Sequence, residues 1–156
     1  MTTGWKGPRY WRNRPLEERL NNLRIPRRFE SMTLESYDKS IGDQDVYYAI
    51  MTWLKNAEEN IANGTGLYLF GGTGVGKTHL AIGLLKEVVS KVQISGYYIP
   101  TTTYMEMMYD NLPTIITSLY NPKKLSLRYG ERFVSILQSA CRLVPVSGTD
   151  QRNAGK

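Results

Sequence analysis

A chain of 156 residues is long enough for one domain with its own core and too short for several. An apolar fraction of 41% and a charged fraction of 22% exclude wholesale disorder, and no apolar run approaches the ~18 residues of a membrane span. A single cysteine excludes an internal disulfide, and because no hydrophobic stretch follows the N-terminal charges we expect a soluble, cytoplasmic protein.

The net charge of +6 is concentrated at the two ends of the chain. Residues 1–30 carry eight Lys or Arg against three acids, whereas residues 31–122 carry five against nine and residues 123–156 carry seven against two. The basic N-terminal end also contains aromatic residues, a combination that suits the backbone and bases of a nucleic acid. A solvated arm whose charges favour solubility explains the same pattern, so both interpretations stay open.

Composition and patterning divide the chain into three segments. We interpret them as a basic N-terminal lead-in at 1–42, a P-loop nucleotide-binding unit at 43–121 and a divergent basic C-terminal tail at 122–156. In the lead-in, the pattern predicts a short helix at Leu16–Leu23 and a break at Pro26.

The middle segment begins with an amphipathic helix. Its apolar residues recur at helical spacing over four or five turns, with Asp43 as a plausible N-cap. They are Val46, Ile50, Leu54, Ala57 and Ile61. The continuous apolar run Leu67–Phe70 then predicts a strand buried on both faces, as in a parallel sheet.

A second helix carries two adjacent apolar stripes from Leu80 to Val92. After it, Tyr97–Ile99 predicts another strand, and Thr101–Thr103 can cap a third helix. This order of elements is a βαβ pattern, typical of an α/β fold with a parallel sheet flanked by helices.

The loop between the first strand and the second helix matches the pattern G-x-x-x-x-G-K-[ST] at every fixed position. Its residues are Gly71, Gly72, Thr73, Gly74, Val75, Gly76, Lys77 and Thr78. Glycine-rich backbone can turn successive N–H groups toward an anion, and the following helix adds its positive N-terminal end. The sequence therefore predicts a P-loop that binds the phosphates of a nucleoside triphosphate.

Two side chains complete the predicted site. Lys77 supplies a positive charge for the β- and γ-phosphates, and the Thr78 hydroxyl is placed to ligate Mg²⁺. Because no guanine-reading motif is apparent, we expect ATP with Mg²⁺. His79 is the only histidine, and without other ligands nearby in the sequence we expect it to pack rather than to bind metal.

These residues resemble a known family. The segments 25–38, 66–89 and 96–112, with the P-loop run as the closest part, are similar to the helicase-loader ATPases of the DnaC/IstB type, members of the AAA+ class. The resemblance covers roughly residues 14–121. It implies an ATP-controlled protein that delivers a replicative helicase to single-stranded DNA and that could form an oligomer on ATP binding. The related IstB branch assists a transposase, and this alternative stays open.

The chain departs from the family pattern after the second predicted strand. The Walker B strand, four apolar residues followed by acids, is not found; the run Phe133–Leu137 ends in Gln138. No sensor residue or arginine finger can be placed, so no catalytic residue is assigned. The resemblance implies an ATPase, the missing residues point to a hydrolysis-defective protein, and both interpretations stay open. The sheet should then be partial, with two or three strands and an uncovered apolar face.

The last third of the chain has two interpretations. It is a truncated or frameshifted product, or a divergent module with a helix at Arg132–Leu143. Besides the loader, a non-catalytic nucleotide- and nucleic-acid-binding module stays possible, and a small P-loop kinase is less favoured because no acceptor base or arginine-bearing lid is found.

Overall fold

Three parallel strands form the sheet at the centre of the protein. The computed structural model describes residues 12–96, 98 and 114–153, and all statements on structure concern this part of the chain. The strands are β1 (Gly66–Gly71), β2 (Ile115–Ser118) and β3 (Cys141–Val146), in the order β2-β1-β3. β1 pairs along its whole length with β3 and over four residues with β2. The prediction of a partial parallel sheet flanked by helices is confirmed.

Helices precede, follow and cover this sheet. They are α1 (Leu16–Asn21), α2 (Gln44–Lys55), α3 (Ala57–Ala62), α4 (Lys77–Val92), α5 (Pro122–Tyr129) and α6 (Glu131–Ala140), with 3-10 turns at Arg27–Phe29 and Gln151–Asn153. Within the described residues, no helix has both the length and the apolar character needed to cross a bilayer.

The helices differ from the sequence prediction at several places. The first helix ends at Asn21 rather than at Leu23, and α5 was not predicted. The helix predicted to run through Ile61 is interrupted at Asn56, whose backbone leaves the helical region (φ −104°, ψ 25°), so α2 and α3 are separate. The helix predicted to reach Leu143 ends at Ala140, and the chain continues as β3. The strand predicted at 97–99 and the helix predicted after Thr101 lie outside the described residues, apart from residue 98.

Alternation along β1 divides the core into two layers. Leu67 and Leu69 point to one face, where α2 and α4 pack, and Tyr68 and Phe70 point to the other, where α5 and α6 pack. Successive side chains of a strand point to opposite faces, so the apolar run of β1 requires a covering layer on each side. The expectation of an uncovered apolar face was wrong, because α5 and α6 supply that layer.

The lead-in is fastened to α4 by long basic side chains that bind backbone carbonyl groups. The Arg19 guanidinium, only 6% exposed, donates to the carbonyl of Val89 near the C-terminal end of α4. From α4 itself, Lys86 Nζ donates to the carbonyl oxygens of Glu30 (2.6 Å) and Met32 (2.8 Å). A cation at the C-terminal end of a helix is also favoured by the helix dipole. The described part of the lead-in is therefore held along the helix that follows the predicted P-loop.

Asp43 joins the start of α2 to the end of β3. One carboxylate oxygen accepts from the Val46 N–H (3.1 Å), which confirms the predicted N-cap. The other accepts from Ser147, from its N–H (2.9 Å) and from its hydroxyl (2.7 Å). Partial burial alone would raise the pKa of Asp43, but the hydrogen bonds from Ser147 and Val46 outweigh burial, and the pKa lies below its ordinary value.

We predict that Asp43→Ala lowers the free energy of unfolding by about 1–2 kcal/mol, because an N-cap and the link to Ser147 are both lost. The measurement is urea unfolding at pH 7. Because the folded pKa is depressed, this stabilisation is complete above the unfolded pKa of about 3.9 and is lost as the pH falls below it. The difference between the two proteins should therefore shrink at low pH.

The matched control is Asp45→Ala, which removes an exposed carboxylate from the first turn of the same helix. It should change stability by less than about 0.5 kcal/mol. Equal losses in the two variants would mean that the Asp43 hydrogen bonds do not stabilise the fold.

Candidate phosphate-binding site

The predicted P-loop lies where β1 ends and α4 begins. Gly71 is the last residue of β1 and Lys77 is the first of α4, so the loop follows the central strand at the carboxyl edge of the sheet. Ligands of open parallel sheets bind at this edge. A Cβ atom on Gly71 would overlap the carbonyl oxygen of Val146 in β3. The start of the loop therefore lies directly against the backbone of the neighbouring strand, where only glycine fits.

Two glycines give the loop its shape. Gly74 (φ +76°) and Gly76 (φ +95°) have left-handed backbone angles that other residues adopt at a cost. Gly76 is also the N-cap of α4 and lies against the Tyr37 ring, where a Cβ would come within 2.8 Å of Cε2. The first N–H groups of an α-helix have no intrahelical acceptor. The loop and the first turn of α4 thus present backbone donors at a positive helix end.

Lys77 is a buried cation beside these donors. It is 8% exposed, and its ammonium donates to the carbonyl oxygens of Gly71 (2.9 Å) and Gly72. Burial lowers the pKa of Lys77. Among the described residues no carboxylate pairs with this ammonium, since the ion pairs found there are Arg14–Glu18 and Asp150–Arg152. A buried charge is costly without a counter-charge, so an anion is the ligand that suits Lys77.

The remaining P-loop residues differ in exposure. Gly72 and Thr73 are exposed at the top of the loop, Val75 is buried in the core, and Thr78 is half-buried on the first turn of α4. The structure brings the eight predicted residues together on one loop and helix end.

The donor set fits a magnesium ion held mainly by phosphate oxygens. Mg²⁺ is usually bound through one or two protein groups together with substrate phosphates and water. Thr78, half-buried on the first turn of α4, carries a hydroxyl of the kind that can be one such group. Among the described residues, no cluster of three or more His, Cys, Asp or Glu side chains could hold a metal ion by itself.

His79 makes the packing contacts expected for it. Its Nε2 atom lies 2.8 Å from the carbonyl oxygen of Thr33 and 3.0 Å from the Ser36 hydroxyl oxygen. Its ring also meets the edge of the Tyr37 ring, with centroids 5.6 Å apart. His79 therefore holds the lead-in against the helix end that carries Lys77 and Thr78.

Sequence reasoning missed the contribution of the C-terminal turn to this site. The N–H of Gln151 donates to the carbonyl of Gly74 (2.9 Å), and the Asp150 carboxylate lies against the same glycine. The hydrogen bond from Arg152 holds the pKa of Asp150 at about 2. The polar tail carries no periodicity, and these residues could be placed only once β3 was known to run beside β1.

Comparisons with known proteins identify the fold. No protein-family model matches the chain, and no curated protein matches it by sequence. Among solved structures, the chain is similar to the DnaC helicase loader, with a TM-score of 0.67 and 22% identity over 78% of this chain and 100% of that chain. It is also similar to DnaI, with a TM-score of 0.65 and 18% identity over 86% of this chain and 100% of that chain. The chain therefore shares the fold of the DnaC structure.

The DnaC-type fold extends beyond the part that resembles loaders in sequence. A third solved structure, a proposed primosome component from Streptococcus pyogenes serotype M3, covers 88% of this chain and 97% of its own, with a TM-score of 0.68 and 17% identity. That share of 156 residues is larger than the range 14–121 to which the sequence resemblance was limited. Structural likeness therefore reaches outside the range in which the motifs could be recognised.

We predict that Gly74→Ala destabilises the protein without nucleotide by about 2 kcal/mol, because alanine is strained at positive φ and its Cβ would overlap the Asp150 carboxylate. Thermal unfolding should show a midpoint lower by about 4–8 °C. Gly72→Ala is the matched control, since a Cβ there would meet only Val75 Cγ1 at 3.8 Å. If both variants unfold like the parent, the loop does not have the described backbone conformation.

Proposed function

We propose that the protein binds ATP with Mg²⁺ through Gly71–Thr78. The observation that carries this proposal is the buried ammonium of Lys77, which has no carboxylate partner in the described part of the chain and lies at the N-terminal end of α4. Backbone N–H groups, a helix dipole and a fixed cation at one point form a site for a polyphosphate.

The residues of the loop have separate roles in this proposal. The N–H groups of Val75–Thr78 surround the phosphate oxygens, and the Lys77 ammonium exchanges the carbonyls of Gly71 and Gly72 for the β- and γ-phosphates. The Thr78 hydroxyl is a ligand of Mg²⁺, which neutralises phosphate charge when bound. No residue is assigned to water activation, so the proposal is nucleotide binding and leaves hydrolysis unassigned.

We further propose that the protein acts as a helicase loader in the cytoplasm, delivering a replicative helicase to single-stranded DNA. Three observations support this: the similarity to the DnaC and DnaI structures, the predicted P-loop, and the excess of basic residues at both ends of the chain. A cationic surface attracts the phosphate backbone of DNA independently of base sequence. In this proposal the nucleotide-binding unit controls the helicase, and the basic ends contact the DNA.

Lys77→Met tests nucleotide binding. Methionine keeps the unbranched shape and removes the charge, so affinity for a fluorescent ATP analogue with Mg²⁺ should fall about 100-fold. The unfolding midpoint without nucleotide should change little, because the removed cost of burying an ammonium offsets the two lost hydrogen bonds to Gly71 and Gly72. The measurements are fluorescence titration and thermal unfolding of the same samples.

Lys86→Met is the matched control. Lys86 lies on the same helix and also donates to two backbone carbonyl groups, but it holds the lead-in rather than the loop. This variant should bind the analogue normally and lose stability. Binding that survives Lys77→Met, or that is lost equally in both variants, would contradict the proposed site.

Binding to single-stranded DNA has its own test. Arg27 and Arg28 are exposed in the basic lead-in, and Arg28 stacks over the Phe29 ring with its guanidinium carbon 4.7 Å from the centroid. The double variant Arg27→Ala/Arg28→Ala should weaken binding to a fluorescent oligo-dT. The slope of the logarithm of the binding constant against the logarithm of the salt concentration should become less steep, by the amount that corresponds to about two lost phosphate contacts. Lys55→Ala/Lys91→Ala removes two exposed charges elsewhere and should leave binding unchanged. Equal effects of the two pairs would argue against an interface in the lead-in.

A further inference from the structure

The C-terminal turn contacts the P-loop through Gln151. The Gln151 N–H donates to the carbonyl oxygen of Gly74 (2.9 Å), and its side-chain Nε2 donates to the carbonyl oxygen of Val75 (3.4 Å). The same side chain passes beside Gly76, where a Cβ would come 3.2 Å from Nε2. One residue that lies more than seventy positions from the loop in sequence thus forms hydrogen bonds with two consecutive loop residues and lies beside a third.

These bonds fix the direction of the loop peptide groups. In a planar trans peptide the C=O and the next N–H point in opposite directions, and the described chain has no cis peptide bonds. When the Gly74 and Val75 carbonyls point to Gln151, the N–H groups of Val75 and Gly76 must point away from it. An anion nest requires consecutive N–H groups that point to one side.

The turn that carries Gln151 is closed by local hydrogen bonds, and the chain before it is bound to α2. Asp150 accepts from Arg152, from its N–H (3.0 Å) and from its Nε (2.9 Å). On the other side, Ser147 is bound to Asp43. Gln151 therefore approaches the loop from a position fixed by β3 and by the start of α2.

We propose that Gln151 is a positioning residue for phosphate binding, holding the carbonyls of Gly74 and Val75 outward so that the N–H groups of Val75 and Gly76 face the ligand. This inference rests on the proposed function of the loop. It adds a residue that touches no phosphate and that acts through the backbone. Donors that are already oriented bind a ligand more tightly, because binding then costs less conformational entropy.

Two variants of Gln151 remove the contacts in steps. Gln151→Ala removes only the side-chain bond to Val75, and Gln151→Pro also removes the backbone donor to Gly74. Proline is compatible with the first residue of a 3-10 turn, since its fixed φ lies in the required range. We expect affinity for a fluorescent ATP analogue with Mg²⁺ to fall about threefold for Gln151→Ala and about tenfold for Gln151→Pro.

A second readout separates positioning from a general structural role. Backbone order parameters of Gly74, Val75 and Gly76, measured by NMR without nucleotide, should fall from about 0.85 toward 0.6 in Gln151→Pro while those of β1 stay unchanged. Gln138→Ala, at an exposed glutamine of α6, is the matched control and should change neither affinity nor loop order.

The outcomes distinguish the two proposals. A Gln151→Pro protein that is folded and has parental affinity and loop order would overturn the positioning role. If Gln151→Pro does not fold, Gln151→Ala decides: a threefold loss supports the role, and parental affinity contradicts it. If the parent itself does not bind the analogue, the proposed function fails, and the order parameters still decide whether Gln151 orients the loop.

Discussion

The orientation of a few peptide groups is the constraint on which the rest of this structure depends. The N–H groups of the P-loop can face an anion only when the carbonyl groups on the opposite side have partners. In this protein the partner of two such carbonyls, those of Gly74 and Val75, is Gln151, which comes from a distant part of the chain. The sheet positions Gln151, because β3, which leads into the C-terminal turn, lies beside β1, which leads into the loop.

The segments before and after the nucleotide-binding unit meet at this site. On one side, the lead-in packs Tyr37 against Gly76 and is held by His79 through the Thr33 carbonyl. On the other side, the C-terminal turn packs Asp150 against Gly74. Asp43 and Ser147 connect the two sides. A ligand that orders the loop would therefore change the contacts of both segments.

The elements that could be predicted are those marked by a pattern within their own segment of the sequence. Continuous apolar residues identified β1, helical periodicity identified α2 and α4, and the glycine pattern located the loop between them. β3 was missed because Cys141–Val146 contains a proline and exposed charge at an edge of the sheet, so neither alternation nor a continuous apolar run marks it. The second core layer could not be inferred without β2 and β3, because α5 and α6 connect these two strands in sequence and so are brought back over the face of Tyr68 and Ile116. The role of Gln151 could not be predicted either, because it depends on contacts with residues far away in sequence and nothing in the neighbouring sequence marks it.

The central claim, that this loop is a preorganised phosphate site, is tested most directly by NMR titration of the unlabelled ligands pyrophosphate and ATP with Mg²⁺ into the ¹⁵N-labelled protein. The account predicts saturable shifts that are largest for the backbone amides of Val75, Gly76 and Lys77, with both ligands acting on the same resonances. Shifts centred on other parts of the chain, or no shifts at millimolar ligand, would contradict it.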